Sequence, residues 1–175
     1  MSNAVRRIGV FTSGGDAPGM NAVIRSVVRT SLHMGIECVG IRRGYNGLVH
    51  GDFVPLNFES VSGLSRRGGT MLYSARSEDF RGEAGQEKAV ATCKLLGLEG
   101  VVGIGGDGTF RGLLELSRRG VAVVGVPCTI DNDIACSTYT IGFDTACNTA
   151  LDSIDKLRDT MQSHERCSVV EVMGR

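Results

Sequence analysis

Three loops carry the residues that could do chemistry. In "VPCTIDND", Asp131 and Asp133 flank Asn132 at the end of the apolar run Val121 to Val126. In "GIGGDG" (Gly103 to Gly108), Asp107 stands among four glycines and is followed closely by Thr109. In "TSGGDAPGMN" (Thr12 to Asn21), two adjacent glycines precede Asp16 and Pro18. The second loop has the G-x-G-x-x-G spacing of a dinucleotide site, but it comes late in the chain and would set Asp107 against a pyrophosphate. Two like charges about 4 Å apart oppose each other by roughly 4 kcal/mol at an effective dielectric of about 20. A bound Mg²⁺ reverses that sign. Glycine amides and Thr109 then cradle phosphate, while Asp107 holds the metal directly or through water. A fixed polyphosphate also needs a base for the hydroxyl that attacks it, and Asp131 is the candidate, with Asp133 supporting it or the metal shell. The competing reading is that either aspartate caps a helix or closes an Asx turn.

The "TSGGDAPGMN" loop leads into a helix start, where free N–H groups and a partial positive charge favour an anion. It is not a Walker A loop: Gly14 and Gly19 have the spacing, but Met20 and Asn21 follow where Lys and Ser/Thr are required. A plain tight turn accounts for it equally well.

These loops must be positioned by the elements between them. Ile8 to Phe11, Cys38 to Ile41, Val101 to Ile104, Val121 to Val126 and Cys167 to Val172 are short apolar or β-branched runs, suited to strands buried on both faces. Helical patterns lie between them. Met20, Val23, Ile24, Val27 and Val28 form one, with Pro18 before and Gly35 after; Ala89, Val90, Cys93 and Leu96, then Leu113, Leu114 and Leu116, mark two more. A longer one runs from about Asp144 to His164, with Asp152 and Lys156 at i, i+4. Strand and helix in alternation predict a doubly wound α/β fold, its sheet mostly parallel with helices on both faces (Rossmann-like). Ligands of such sheets bind beyond the carboxyl ends of the strands, where all three loops fall. Gly44 to Asp52 and Arg66 to Gly85 read as long loops. Residues 1–6 are set aside as an extension or tag remnant, 7–142 form one lobe, and 143–175 read as a connecting helix and the first strand of a second lobe.

Composition agrees. The chain has 175 residues and 42% hydrophobic content, enough for one well-buried core. Formal net charge is zero, so no basic field draws nucleic acid. No apolar run reaches membrane-spanning length. Six cysteines without a C-x-x-C pair fit a reducing, cytoplasmic compartment. Arginines outnumber lysines sixteen to three, which suits bidentate phosphate binding, although codon preference explains it as well.

In order and spacing, "TSGGDAPGMN", "GGDGT", "TIDND", "YTIGFDTA", "DKLRDT", "SHER" and "EVMGR" resemble the N-terminal half of the 6-phosphofructokinases, from about Arg7 to Arg175. The resemblance implies the first lobe of a two-lobe kinase that transfers the γ-phosphoryl of ATP to O1 of fructose 6-phosphate with Mg²⁺. It implies nucleotide binding by Gly15, Tyr45, Arg76, Ser77, Arg81, Gly106, Asp107, Gly108 and Thr109, with Asp107 toward the metal. Asp131 matches the base and Thr129 lies beside it. Arg175 matches an arginine near the transferring phosphoryl, and Met173 and Gly174 belong to the same substrate-contacting loop. Arg166 matches a residue that binds sugar phosphate across a subunit boundary, which implies a homo-oligomer, tetrameric in bacterial relatives. Arg25, Arg29 and Arg158 match effector-site arginines, although Arg25 and Arg29 also suit a solvated helix face. Three features depart from or divide the family pattern. Gly108 agrees with ATP users, since pyrophosphate users carry Asp there. Cys128 stands where pyrophosphate users carry Lys and many ATP users Gly. Phe58 and Gly63 replace Arg and Asp of the bacterial effector site, which puts regulation by nucleotide diphosphate or phosphoenolpyruvate in doubt. A nucleotide-binding module without turnover, and a pyrophosphate-dependent sugar-phosphate kinase, are the alternatives.

Overall fold

The computed structural model describes residues 5–173. Strands β1 (Arg7–Thr12), β2 (Glu37–Ile41), β3 (Phe53–Leu56), β4 (Gly100–Gly105), β5 (Val123–Thr129) and β6 (Ile141–Gly142) make one sheet in the order β3-β2-β1-β4-β5-β6. All neighbours are parallel except β2 and β3. Helices α1 (Met20–His33), α2 (Tyr45–His50), α3 (Glu83–Leu95), α4 (Asp107–Arg118) and α5 (Phe143–Ser163) complete the chain.

Alternation along the strands divides the core in two. Val10 and Ile104 face Met20, Ile24 and Val28 of α1, which recur every four residues and are each fully buried. Phe11, next to Val10, and Val101 of β4 face the opposite layer, where Tyr45, Leu48, Ala89, Cys93, Leu113 and Leu116 pack from α2, α3 and α4. Two cores on one sheet are what the doubly wound pattern requires.

Four of the five apolar runs are strands. The exception is Cys167 to Val172, which has no sheet neighbour and leaves Val169 97% exposed. A β-rich run is a strand only where a ladder receives its backbone, and none reaches this one. The stretch from Gly44 to Asp52 is largely α2 rather than a loop. "YNGLVH" is too short and too rich in weak helix formers to show a period, and packing of Tyr45 and Leu48 holds it. β3 was hidden by Pro55, which an edge strand tolerates because one row of its N–H groups needs no partner. The stretch from Arg66 to Gly85 contains a 3₁₀ turn at Asp79–Arg81 and the start of α3.

The long helix α5 buries none of its residues; Leu151 and Leu157 are 57% and 46% exposed. Asp152 and Lys156 pair on its surface as their spacing implies. No helix of the described chain is long and apolar enough to cross a membrane.

Candidate active site

The strand order reverses between β1 and β4, and the crevice of a doubly wound sheet opens at that point. Here it is a cavity of ≈ 1010 Å³ bounded by the loops that leave β1, β4 and β5.

The glycine loop after β1 is fixed against the helix that follows β4. Thr109, almost fully buried in the first turn of α4, donates its hydroxyl to the Ser13 carbonyl at 3.1 Å. The Tyr45 phenol in turn donates to the Thr109 carbonyl at 2.5 Å. Tyr45 is held in place by stacking on Phe80 (4.2 Å between centroids) and by an edge contact with Phe11 (4.9 Å). Burial pushes its phenol pKa far up, so it is a permanent donor. A Cβ at Gly112 would lie 2.4 Å from the Tyr45 ring, so this close approach of α4 to α2 requires glycine. Gly14, at φ 85, turns the first loop through the left-handed region.

The N-terminus of α4 has no side-chain cap, and its first residue, Asp107, faces the cavity. The Asp107 carboxylate pairs with Arg111 one turn on, at 2.9 Å. Beside it a Cβ on Gly108 would meet nothing within 4 Å, so the space over the helix start is open.

On the β5 side, Asn132 makes the turn that the aspartates were candidates to make. It adopts φ 50, and its side-chain carbonyl accepts the Thr140 N–H at 2.9 Å. The Asp131 backbone N–H donates to Thr129 Oγ1 at 3.2 Å. Neither the Asp131 nor the Asp133 carboxylate has a hydrogen-bond or ion-pair partner among the described residues, and both face the cavity. The competing cap and Asx-turn readings fail for both, because neither side chain closes the loop. What remains is an arrangement suited to phosphoryl transfer: free amides for phosphate at two loops, one carboxylate at a helix start, and two unpartnered carboxylates opposite. No cluster of three potential metal-ligating side chains occurs among the described residues. Mg²⁺ needs none, since it is usually held by one or two carboxylates together with substrate phosphates.

A family model described as phosphofructokinase matches residues 7–175. The chain belongs to the phosphofructokinase family. It is 59% identical over 171 residues to an ATP-dependent 6-phosphofructokinase of Clostridium botulinum, covering 98% of this chain and 54% of that one. It is 58% identical over 172 residues to the ATP-dependent 6-phosphofructokinase of Halothermothrix orenii, covering 98% and 52%. The structure of Saccharomyces cerevisiae phosphofructokinase superimposes with a TM-score of 0.88 at 35% identity, over 97% of this chain and 26% of that one. The chain thus spans about half the length of the curated relatives it matches.

Within this phosphofructokinase chain, Gly15, Tyr45, Arg76, Ser77, Arg81, Gly106, Asp107, Gly108, Thr109, Thr129 and Asp131 all line the one cavity. Tyr45 and Thr109 do so chiefly as scaffold, buried and bonded to each other. Arg166 and Met173 lie elsewhere, beyond α5, and Gly174 and Arg175 lie outside the described residues. Arg25 and Arg29 sit on α1 away from the cavity: Arg25 donates to the Val61 carbonyl at 3.1 Å, and Arg29 lies 5.5 Å over the Phe58 ring. Arg158 pairs with Asp155 on α5. Several residues of the site had no assigned role in the sequence. Arg111 and Glu115 line the cavity from α4, one turn apart, a period visible in "DGTFRGLLE". Glu115 lies between Arg118 and Arg119, and its carboxyl is held low, first by the Arg119 hydrogen bond. Asn21 is buried and bonds the Arg67 and Gly68 carbonyls and the Met71 N–H, fastening a distant segment. No local pattern announces such a contact.

Proposed function

We propose that the chain is the nucleotide-binding lobe of an ATP-dependent 6-phosphofructokinase, which moves the γ-phosphoryl of ATP to O1 of fructose 6-phosphate. The observation that carries this is the pair of unpartnered carboxylates, Asp131 and Asp133, across one cavity from two glycine loops. The names of the relatives support it. Backbone amides of the Gly14–Gly15 loop and of the α4 start hold the polyphosphate, and Arg76 and Arg81 at the rim neutralise its outer oxygens. Asp131 accepts the proton of the sugar hydroxyl as its oxygen attacks phosphorus, and Thr129 fixes the Asp131 backbone.

The donor set fits Mg²⁺. Asp107 would hold it, with Asp133 as a further carboxylate, and the ion would supply positive charge against the polyphosphate. Gly108 leaves open space where a side chain would crowd the nucleotide, which favours ATP over pyrophosphate as donor. Arg166, Met173, Gly174 and Arg175 belong to the sugar-phosphate side, and Arg166 acts in a homotetramer in the cytoplasm. Phe58 argues against an effector role for Arg25, Arg29 and Arg158, because its ring already engages Arg29.

A second reading, a binding module without turnover, applies to the 175 residues alone. Apolar residues of β5 and α5, such as Val124 at 60% exposure and Leu151, stand uncovered where the rest of a longer chain would pack. The test uses the full-length protein. ADP release should depend on fructose 6-phosphate and Mg²⁺, with pyrophosphate nearly inert as donor. Comparable turnover with pyrophosphate, or ADP release independent of the sugar phosphate, refutes the proposal.

A further inference from the structure

The segment from Thr70 to Ser77 crosses over the end of β1 and is tied to the glycine loop by hydroxyl groups that no pattern in the sequence singles out. Thr12, fully buried at the end of β1, shares a hydrogen bond with the Thr70 hydroxyl at 2.8 Å and donates to the Tyr73 carbonyl at 2.9 Å. Tyr73 turns that carbonyl inward by adopting φ 58, and the Arg43 N–H holds the Leu72 carbonyl beside it at 2.8 Å. The next residue, Ser74, donates its hydroxyl to the Gly14 carbonyl.

In a planar trans peptide the carbonyl and the following N–H point in opposite directions. With the Gly14 carbonyl drawn toward Ser74, the Gly15 N–H points the other way. With the Ser13 carbonyl drawn toward Thr109, so does the Gly14 N–H. Neither N–H has a protein acceptor among the described residues, and both glycines border the cavity. Two residues past Ser74, the same strap delivers Arg76 to the cavity rim.

We propose that Ser74 is a positioning residue for the polyphosphate: its hydroxyl sets the Gly14–Gly15 peptide so that the Gly15 N–H and the Arg76 guanidinium address the same phosphate chain. This rests on the reading of the cavity as a nucleotide site. Ser74 touches no ligand itself; it acts through the peptide it holds. Losing it lets the peptide rotate and removes one amide donor from an anion, a hydrogen bond whose loss corresponds to about a tenfold weaker affinity.

The experiment is calorimetric titration of the full-length protein and its Ser74→Ala and Ser74→Thr variants with inorganic tripolyphosphate and, separately, with adenosine. Ser74 is half-buried, so alanine fits without a cavity. Ser74→Ala should bind tripolyphosphate about tenfold more weakly with adenosine binding unchanged. Ser74→Thr, which keeps the hydroxyl, should restore tripolyphosphate binding to within about threefold of the parent. Equal tripolyphosphate affinity in Ser74→Ala overturns the proposal, and so does parallel weakening for both ligands, which is general loosening. If the parent chain binds no tripolyphosphate, the nucleotide-site reading itself fails.

Discussion

Gly108→Asp should leave stability nearly unchanged while weakening nucleotide binding, and the contrast makes it a sharp test. Gly108 is the second residue of α4, and a Cβ there meets nothing within 4 Å, so the substitution causes no clash. Replacing a helical glycine by Asp gains about 0.3 kcal/mol, and an acid in the first turn gains about 0.3–1 kcal/mol more. Repulsion from Asp107 subtracts about 1 kcal/mol in a solvated setting, and Arg111, three residues on, offsets part of it. The net is within about 0.5 kcal/mol of no change. For the ligand, a carboxylate about 4 Å from a phosphate opposes it by about 1 kcal/mol in bulk water and about 4 kcal/mol near a protein surface. At an open cavity mouth the loss lies between these, roughly 5-fold to 10³-fold in MgATP affinity. The assays are thermal denaturation and MgATP calorimetry. Gly108→Asn is the control, similar in size and uncharged, and it should lose much less. If Gly108→Asp binds MgATP like the parent chain, the polyphosphate does not pass Gly108, and the choice of ATP over pyrophosphate loses its structural basis.

Gly112→Ala should destabilise the fold by about 1–3 kcal/mol in chemical denaturation, because the methyl group would sit 2.4 Å from a Tyr45 ring already wedged between Phe80 and Phe11. Tyr45→Phe removes the buried donation to Thr109 and should cost about 1 kcal/mol in the same assay. Thiol labelling of the native chain should reach the exposed Cys136, Cys147 and Cys167 quickly and the buried Cys38, Cys93 and Cys128 only on unfolding. Burial raises Cys93 and Cys128 from 9.0 to about 11 and Cys38 to about 12. The folded chain holds these protons to higher pH than the unfolded one, so the stability they contribute is complete below about pH 9 and lost as pH rises through 11 and 12. Denaturation midpoints should therefore fall across that alkaline window, and a Cys128→Ala variant should fall less steeply.

The loops around the cavity were legible in the sequence because their chemistry is local. Glycines beside Asp107, and acids either side of Asn132, mark these loops through residue type and spacing alone. The inner strands β1, β2 and β4 were legible because burial makes them continuous apolar runs, and β5 shares that composition although Val124 is 60% exposed. α2 and β3 were not: a six-residue helix and an edge strand containing Pro55 owe their structure to partners distant in sequence. Cys167 to Val172 shows the converse, strand composition without a ladder to join. The residues that aim the site were the least visible. Asn21, Thr12 and Ser74 act through bonds spanning 46 to 61 residues, which no window of sequence contains. Asn132 carries the plainest lesson, since the turn assigned to either aspartate belongs to the residue between them.

The division of labour between the two loops is tested most directly by a Mg²⁺ titration of Asp131→Ala and Asp107→Ala in the full-length enzyme, at saturating ATP and fructose 6-phosphate. In the proposed reaction Asp131 is the base, and losing a general base costs about 10²–10⁴ in rate with ground-state binding largely intact. Asp131→Ala should therefore lower kcat steeply at an unchanged Mg²⁺ requirement. Asp107→Ala removes the carboxylate at the α4 start, so its rate loss should come with a marked rise in the Mg²⁺ concentration for half activity. The reverse pattern would exchange the two roles, and a loss of only a few-fold in both variants would contradict a catalytic function for either aspartate.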